Sequence, residues 1–221
     1  MRTHGRVYSA IWTNPDFLAL PVGPQRLYLF LLSQSDLNQA GLLPLRVKRW
    51  AGKSIGYTED SVRADLATLG AARFVLVDEA TEEVLIRTFV RNDQVYKQPK
   101  VMIRMAGDAR EIESPRLQAA LVDELHKLPL DTLSDAVPKS GGQSPREVAQ
   151  QVVDTLAEAF AEAVQQAQET LSGRVSDTPA EGYAIPPACA RTPSTFHLPP
   201  STVHRRRACL QVLEAAAGDV D

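Results

Sequence analysis

The sequence predicts an α+β fold that is mainly α, and three observations carry that prediction. A dense apolar run over residues 27–32 follows Val22-Gly23-Pro24 and reads as a core helix. Val62, Leu66 and Leu69 are spaced four and three residues apart behind Thr58, a good N-cap, with Glu59 and Asp60 in the first turn where the helix dipole favours anions. Residues 74–77 and 84–90 are strand formers flanking a polar segment at 78–83, which makes a hairpin. A helix, a short strand, two more helices and a hairpin, in that order, describe a winged helix: a helix-turn-helix with a β-hairpin wing. A helical stalk and a Pro-rich tail are expected beyond it.

Each element has its own reason. Asn38-Gln39-Ala40-Gly41 turns the chain, and Leu42-Leu43-Pro44-Leu45 supplies a brief extended segment. Arg46 opens a helix through Val47, Trp50 and Ala51, and Gly56 breaks the chain before Thr58. The helix that follows takes the recognition position, with Arg63, Asp65 and Thr68 outward. After the hairpin, residues 91–100 are polar, a helix begins near Lys100, and Val101, Met102, Ile103 and Met105 return to the core. Ser114-Pro115 caps the next helix, whose Leu117, Leu121, Leu125 and Leu128 share one face packed on the winged helix. These elements make a domain over residues 1–128.

Pro129, Pro138, Gly141 and Gly142 give residues 129–144 linker composition. Residues 145–171 read as one long amphipathic helix with a thin, alanine-rich apolar stripe (Val148, Val152, Leu156, Ala159, Ala163, Val164), and such a stripe predicts pairing with a second copy. Residues 172–221, with six prolines between 179 and 200, read as a largely extended tail with a short basic helix within 202–217.

The net charge of −3 over 221 residues excludes a uniformly basic coat, but its distribution is uneven. Residues 1–107 carry a net +4, residues 108–171 a net −7, and residues 172–221 none. A mildly basic head on an acidic stalk suits a nucleic-acid-binding or partner-binding module. No secretory pattern opens the chain, and the longest apolar run falls far short of the roughly 20 residues that span a bilayer, so a cytoplasmic protein away from membranes is expected. Catalysis and cofactors are not expected, because no Gly-rich phosphate loop, helical His/Glu pair or nucleophile elbow is present. Cys189, His197, His204 and Cys209 lack the close cysteine pair of zinc motifs, so no metal is expected either.

Nucleic-acid binding is the chemistry these residue types support. Arg46, Lys48, Arg49 and Lys53 surround the first helix of the helix-turn-helix, and Ser54 and Tyr57 lie at the turn, where side chains and backbone N–H groups meet a phosphate. Arg63 and Thr68 are placed to meet base edges. Arg91, Lys97, Lys100 and Arg104 extend the basic set beyond the hairpin, and Arg205, Arg206 and Arg207 form the densest basic run of the chain. Opposing them, Glu59, Asp60 and Asp65 lie on the recognition helix, and Asp78, Glu79, Glu82 and Glu83 crowd the hairpin tip. Docking is therefore expected through helices and not through the tip.

The segment from Ile11-Trp12-Thr13-Asn14-Pro15-Asp16-Phe17 through Gln25-Arg26-Leu27-Tyr28-Leu29-Phe30 resembles the opening of winged-helix proteins of actinobacterial phages and prophages. It is more distantly similar to the N-terminal domains of phage replisome-organiser and DnaD-like proteins. The resemblance continues through Gly41-Leu42-Leu43-Pro44 and Phe89-Val90-Arg91-Asn92-Asp93 and covers residues 7–105. It implies duplex DNA binding through the helix-turn-helix and oligomerisation through other segments, in DNA replication initiation or transcriptional regulation, with a replication protein as partner. The alternative reading is a protein interaction adaptor, such as a recombination directionality factor acting on an integrase.

Overall fold

The computed structural model describes residues 5–137 and 142–176. The expected tail helix and its arginines 205–207 lie outside those residues. Near the start, Asn14 caps α1 (Pro15–Leu18) by accepting from the Asp16 and Phe17 N–H groups, with Pro15 in the first turn. Helix α2 (Val22–Leu32) follows and buries Leu27, Tyr28 and Leu31. Strand β1 (Leu42–Pro44) leads to α3 (Val47–Ala51) and α4 (Glu59–Ala71), where the Thr58 hydroxyl accepts from Ser61 N–H and Val62, Leu66 and Leu69 are buried.

Strands β2 (Val75–Asp78) and β3 (Glu83–Ile86) complete a three-stranded antiparallel sheet of order β1-β3-β2, with Val84 opposite Leu43 on one side and Val77 on the other. The central strand is buried along its whole length. A mainly helical α+β chain with this small sheet is what the sequence predicted at the coarse level. The last strand is shorter than the expected 84–90, because β1 ends where the Gly41 carbonyl accepts from Ile86 N–H at 2.8 Å. Past that point no strand lies beside the chain, and Phe89 and Val90 enter the core from a helical turn, α5 (Phe89–Asn92).

The acidic hairpin is tied into the fold, and here the sequence reading needs correction. Helix α6 (Pro99–Ala109) runs to a short connection, and α7 (Pro115–Leu125) starts beside the hairpin with Ser114 as its N-cap. The buried Glu83 carboxylate accepts from the Glu113 and Ser114 N–H groups at 3.0 and 2.9 Å and from the Thr81 hydroxyl at 2.8 Å. The Ser114 hydroxyl donates to Asp78 and accepts from Leu117 N–H. Two of the four tip carboxylates therefore neutralise the positive end of α7 instead of repelling a partner.

The Ser114 hydroxyl holds the Asp78 carboxyl below its ordinary pKa, helped by the Ala80 and Thr81 N–H groups against an opposing effect of burial. A carboxyl depressed in the folded state contributes stability above its unfolded pKa of about 3.9 and loses it as pH falls through the lower folded value. Asp78→Asn should thus remove part of the stability loss between neutral pH and pH ~3. Urea midpoints of both proteins across that range measure it, and parallel pH profiles would contradict it.

The segment expected to be a stalk is folded against the head. Helix α8 (Pro145–Ala159) packs on α6, and α9 (Ala161–Ser176) packs on α7. Head and stalk helices belong to one compact unit. Helix α8 starts with a capping box between Ser144 and Glu147. The single helix expected over 145–171 is interrupted at Phe160, whose φ of −107° and ψ of 16° leave helical geometry and whose ring is buried. Of the stripe expected to pair with a second copy, Val148, Val152, Leu156 and Ala163 are buried within the chain, Val164 is half-buried and Ala159 is exposed. Part of the expected linker is held as well: the Arg146 guanidinium donates to the Leu130 and Asp131 carbonyls at 3.2 and 2.6 Å and pairs with Asp135 at 3.0 Å.

Candidate nucleic-acid interface

Helix α3 is short because its three buried residues, Val47, Trp50 and Ala51, need little more than one turn. The same turn throws Lys48 and Arg49 outward, beside Arg46 at the N-cap. Together with Arg63 of α4 they surround one open groove of about 480 Å³, which Glu59 and Glu82 also line. The sequence groups Arg46, Lys48 and Arg49 with Lys53 around the first helix and puts Arg63 on the second; in the structure Arg46, Lys48, Arg49 and Arg63 line one groove.

Each arginine has a carboxylate at hand. Arg46 Nη1 donates to Asp36 at 2.7 Å, Arg49 lies 3.9 Å from the same carboxylate, and Arg63 pairs with Glu79 at 3.0 Å. The arginines of these pairs are exposed, Asp36 is half-buried, and an exposed pair is worth about 0.2–1 kcal/mol. Lys48 and Lys53 are exposed and have no ion-pair partner among the described residues. Asp36 was invisible to sequence reasoning because it sits in a polar loop with no pattern to mark it.

Other candidates are engaged elsewhere. The Tyr57 hydroxyl donates to Asp65, whose carboxylate rests against Gly23 of α2, and the Arg26 guanidinium lies 5.0 Å from the Tyr57 ring centre. Burial first, and then the Asp65 carboxylate, raise the Tyr57 pKa far above the ordinary phenol, so it stays neutral. It ties α2 to α4 and is not an open phosphate ligand. The Thr68 hydroxyl donates to the Ala64 carbonyl at 2.9 Å on an exposed face of α4, and its oxygen remains an acceptor. Ser54 is half-buried at the turn.

Arg91 belongs to a different cluster. It lies 3.6 Å from the buried Glu124 carboxylate of α7, which Arg87 approaches at 3.3 Å and Lys127 at 3.1 Å. The sequence did carry a signal for this group, since Glu124 falls on the leucine face of α7 between Leu121 and Leu125, and a carboxylate there needs buried cations. Lys97 lies 6.0 Å from the Tyr96 ring centre, and Lys100 and Arg104 are exposed one turn apart on α6 as a second basic patch.

Comparison with protein-family models, with curated proteins and with solved structures gave no match. Among the described residues, no helix is long and apolar enough to cross a membrane, and no three His, Cys, Asp or Glu side chains are grouped to hold a metal ion. The zinc candidates of the tail lie outside the described residues.

Proposed function

We propose that this chain is a winged-helix protein of the phage or prophage type that binds duplex DNA in the cytoplasm of a bacterial host, serving replication initiation or transcriptional regulation. The observation that carries the reading is the shared groove of Arg46, Lys48, Arg49 and Arg63 at the junction of α3 and α4, with Lys53 on the connecting turn. The order α2-β1-α3-α4-β2-β3, with β1 joined to the hairpin through β3, supports the fold half of it. Phosphates would be held by Arg46, Lys48, Arg49 and Lys53, while base reading falls to Arg63 once it leaves Glu79. Lys100 and Arg104 offer further phosphate contacts.

Lys48→Glu combined with Arg49→Glu, in the full chain, should weaken binding to random duplex at least about tenfold at low salt and reduce the log–log salt slope by roughly 1.8, two contacts at about 0.9 each. Fluorescence anisotropy across a salt series measures both. Unchanged affinity and slope would take these residues out of the interface.

A second reading, the protein adaptor acting on an integrase or replication protein, is favoured by a different observation. The outward face of α4 presents Ala64, Ala67 and Ala71, and a groove of about 240 Å³ between α4 and β2 is floored by Leu66, Gly70 and Leu76 and bordered by Arg63, Glu79 and Arg116. A small apolar floor rimmed by charges of both signs suits a protein surface. Absence of duplex and single-strand binding by the unaltered chain at low salt would move the assignment to this reading.

A further inference from the structure

A cavity of about 410 Å³ lies on another part of the head, between the N-terminal segment, α2, the approach to β2, and α5. Its apolar wall brings together the rings of Tyr28, Phe74 and Phe89 with Ile11 and Leu32. Tyr28 and Phe74 meet edge to face at 5.2 Å, which fixes the two rings against each other. The polar side carries two guanidinium groups, Arg6 and Arg91, and one carboxylate, Asp93. A concave site of this size with one apolar wall and a few convergent polar groups is the usual form of a small-molecule pocket.

The charges around the cavity do not balance. Glu124 faces three cations, Arg87, Arg91 and Lys127, and Lys127 is paired in addition with Asp123. Arg91 is the farthest of the three at 3.6 Å, beyond hydrogen-bond length, and its side chain is 39% exposed. Arg87 and Lys127 both approach Glu124 Oε1, whereas Arg91 is the cation nearest the buried Oε2 and also lines the cavity, so it keeps one edge toward Glu124 while its remaining donors serve the cavity. Arg6 donates to the Tyr8 hydroxyl at 3.5 Å and lines the same cavity as Asp93. With Asp93 counted against Arg6, the cavity retains the surplus charge of Arg91.

We propose that this cavity is a binding site for a planar aromatic carboxylate, its ring stacked in the wall of Tyr28, Phe74 and Phe89 and its carboxylate held by Arg91 and Arg6. An aromatic ring matches the apolar, aromatic wall, and a guanidinium fork matches a carboxylate in geometry as well as charge. The site is separate from the α3–α4 groove and does not depend on the DNA-binding reading.

Isothermal titration of the full chain with 2-naphthoate tests the assignment. Saturable one-to-one binding with a Kd on the order of 100 μM is expected for a ligand of that size. The uncharged naphthalene-2-carboxamide should bind at least about tenfold more weakly, since it cannot make the charge-assisted pair. Arg6→Ala, at an exposed residue, and Arg91→Lys, which retains a charge beside Glu124, should each weaken naphthoate about fivefold or more. Asp93→Asn should tighten it about threefold by freeing Arg6. No binding at millimolar naphthoate, equal affinity for the carboxamide, or unchanged affinity in both arginine variants with thermal unfolding intact would each overturn the proposal.

Discussion

Gly41→Ala is expected to lower the stability of the full chain by roughly 2–5 kcal/mol, the sum of a left-handed backbone penalty and overpacking. Gly41 has a φ of +87°, where an L side chain is strained by about 1–2 kcal/mol. A Cβ there would also lie 2.7 Å from the Phe89 Cβ and 2.9 Å from the Ile86 carbonyl oxygen. Neither neighbour can move freely: Phe89 is buried, and Ile86 is fixed by its N–H bond to the Gly41 carbonyl. Gly56→Ala separates the two effects, because Gly56 has a φ of +74° but nothing within 4 Å of its would-be Cβ. That variant should lose only about 1 kcal/mol. Urea unfolding with unchanged m-values reads the difference, and equal losses at the two sites would rule out the steric argument.

The second large effect is expected at the foot of the hairpin. Glu83→Gln preserves shape but replaces one of two acceptor oxygens with an NH2 group. The Glu113 and Ser114 N–H groups each require one of those oxygens, and Ser114 is fully buried. One donor must then face another donor beside a side chain that is only 7% exposed. The loss of a charge-assisted bond, with a buried N–H left unpaired, is expected to cost about 2–4 kcal/mol. Amide hydrogen exchange locates the damage: protection should fall first at residues 113–117, and a global midpoint shift below about 0.5 kcal/mol would show that the carboxylate does not hold α7.

The helices were legible where a local device marks them. Thr58, Ser114 and Ser144 were readable as caps, and each accepts from the N–H group three residues on. The buried trio Val62, Leu66 and Leu69 followed from spacing alone. The hairpin was legible, but its environment was not: a run of four acidic residues looks like a solvated tip until the helix end that neutralises two of them is folded beside it. Long-range pairing hid the rest. The covering of the stripe on α8 and α9 by α6 and α7 depends on contacts tens of residues apart, which periodicity cannot report. The same holds for Tyr57, whose phenol could be placed at the turn but not against Asp65, and for Asp36, which has no pattern of its own.

The Asp78 and Glu83 anchorage to α7 bears on how this protein can be divided. A fragment ending before Ser114 would leave the hairpin with two unanswered carboxylates, one of them set deep in the sheet. One ending at Lys127 would uncover the sides of α6 and α7 on which α8 and α9 lie. Grafting the first hundred residues onto another protein, as is done with self-sufficient DNA-binding modules, would therefore transplant an incomplete core. A portable piece of this chain has to carry α8 and α9 with the helices they cover.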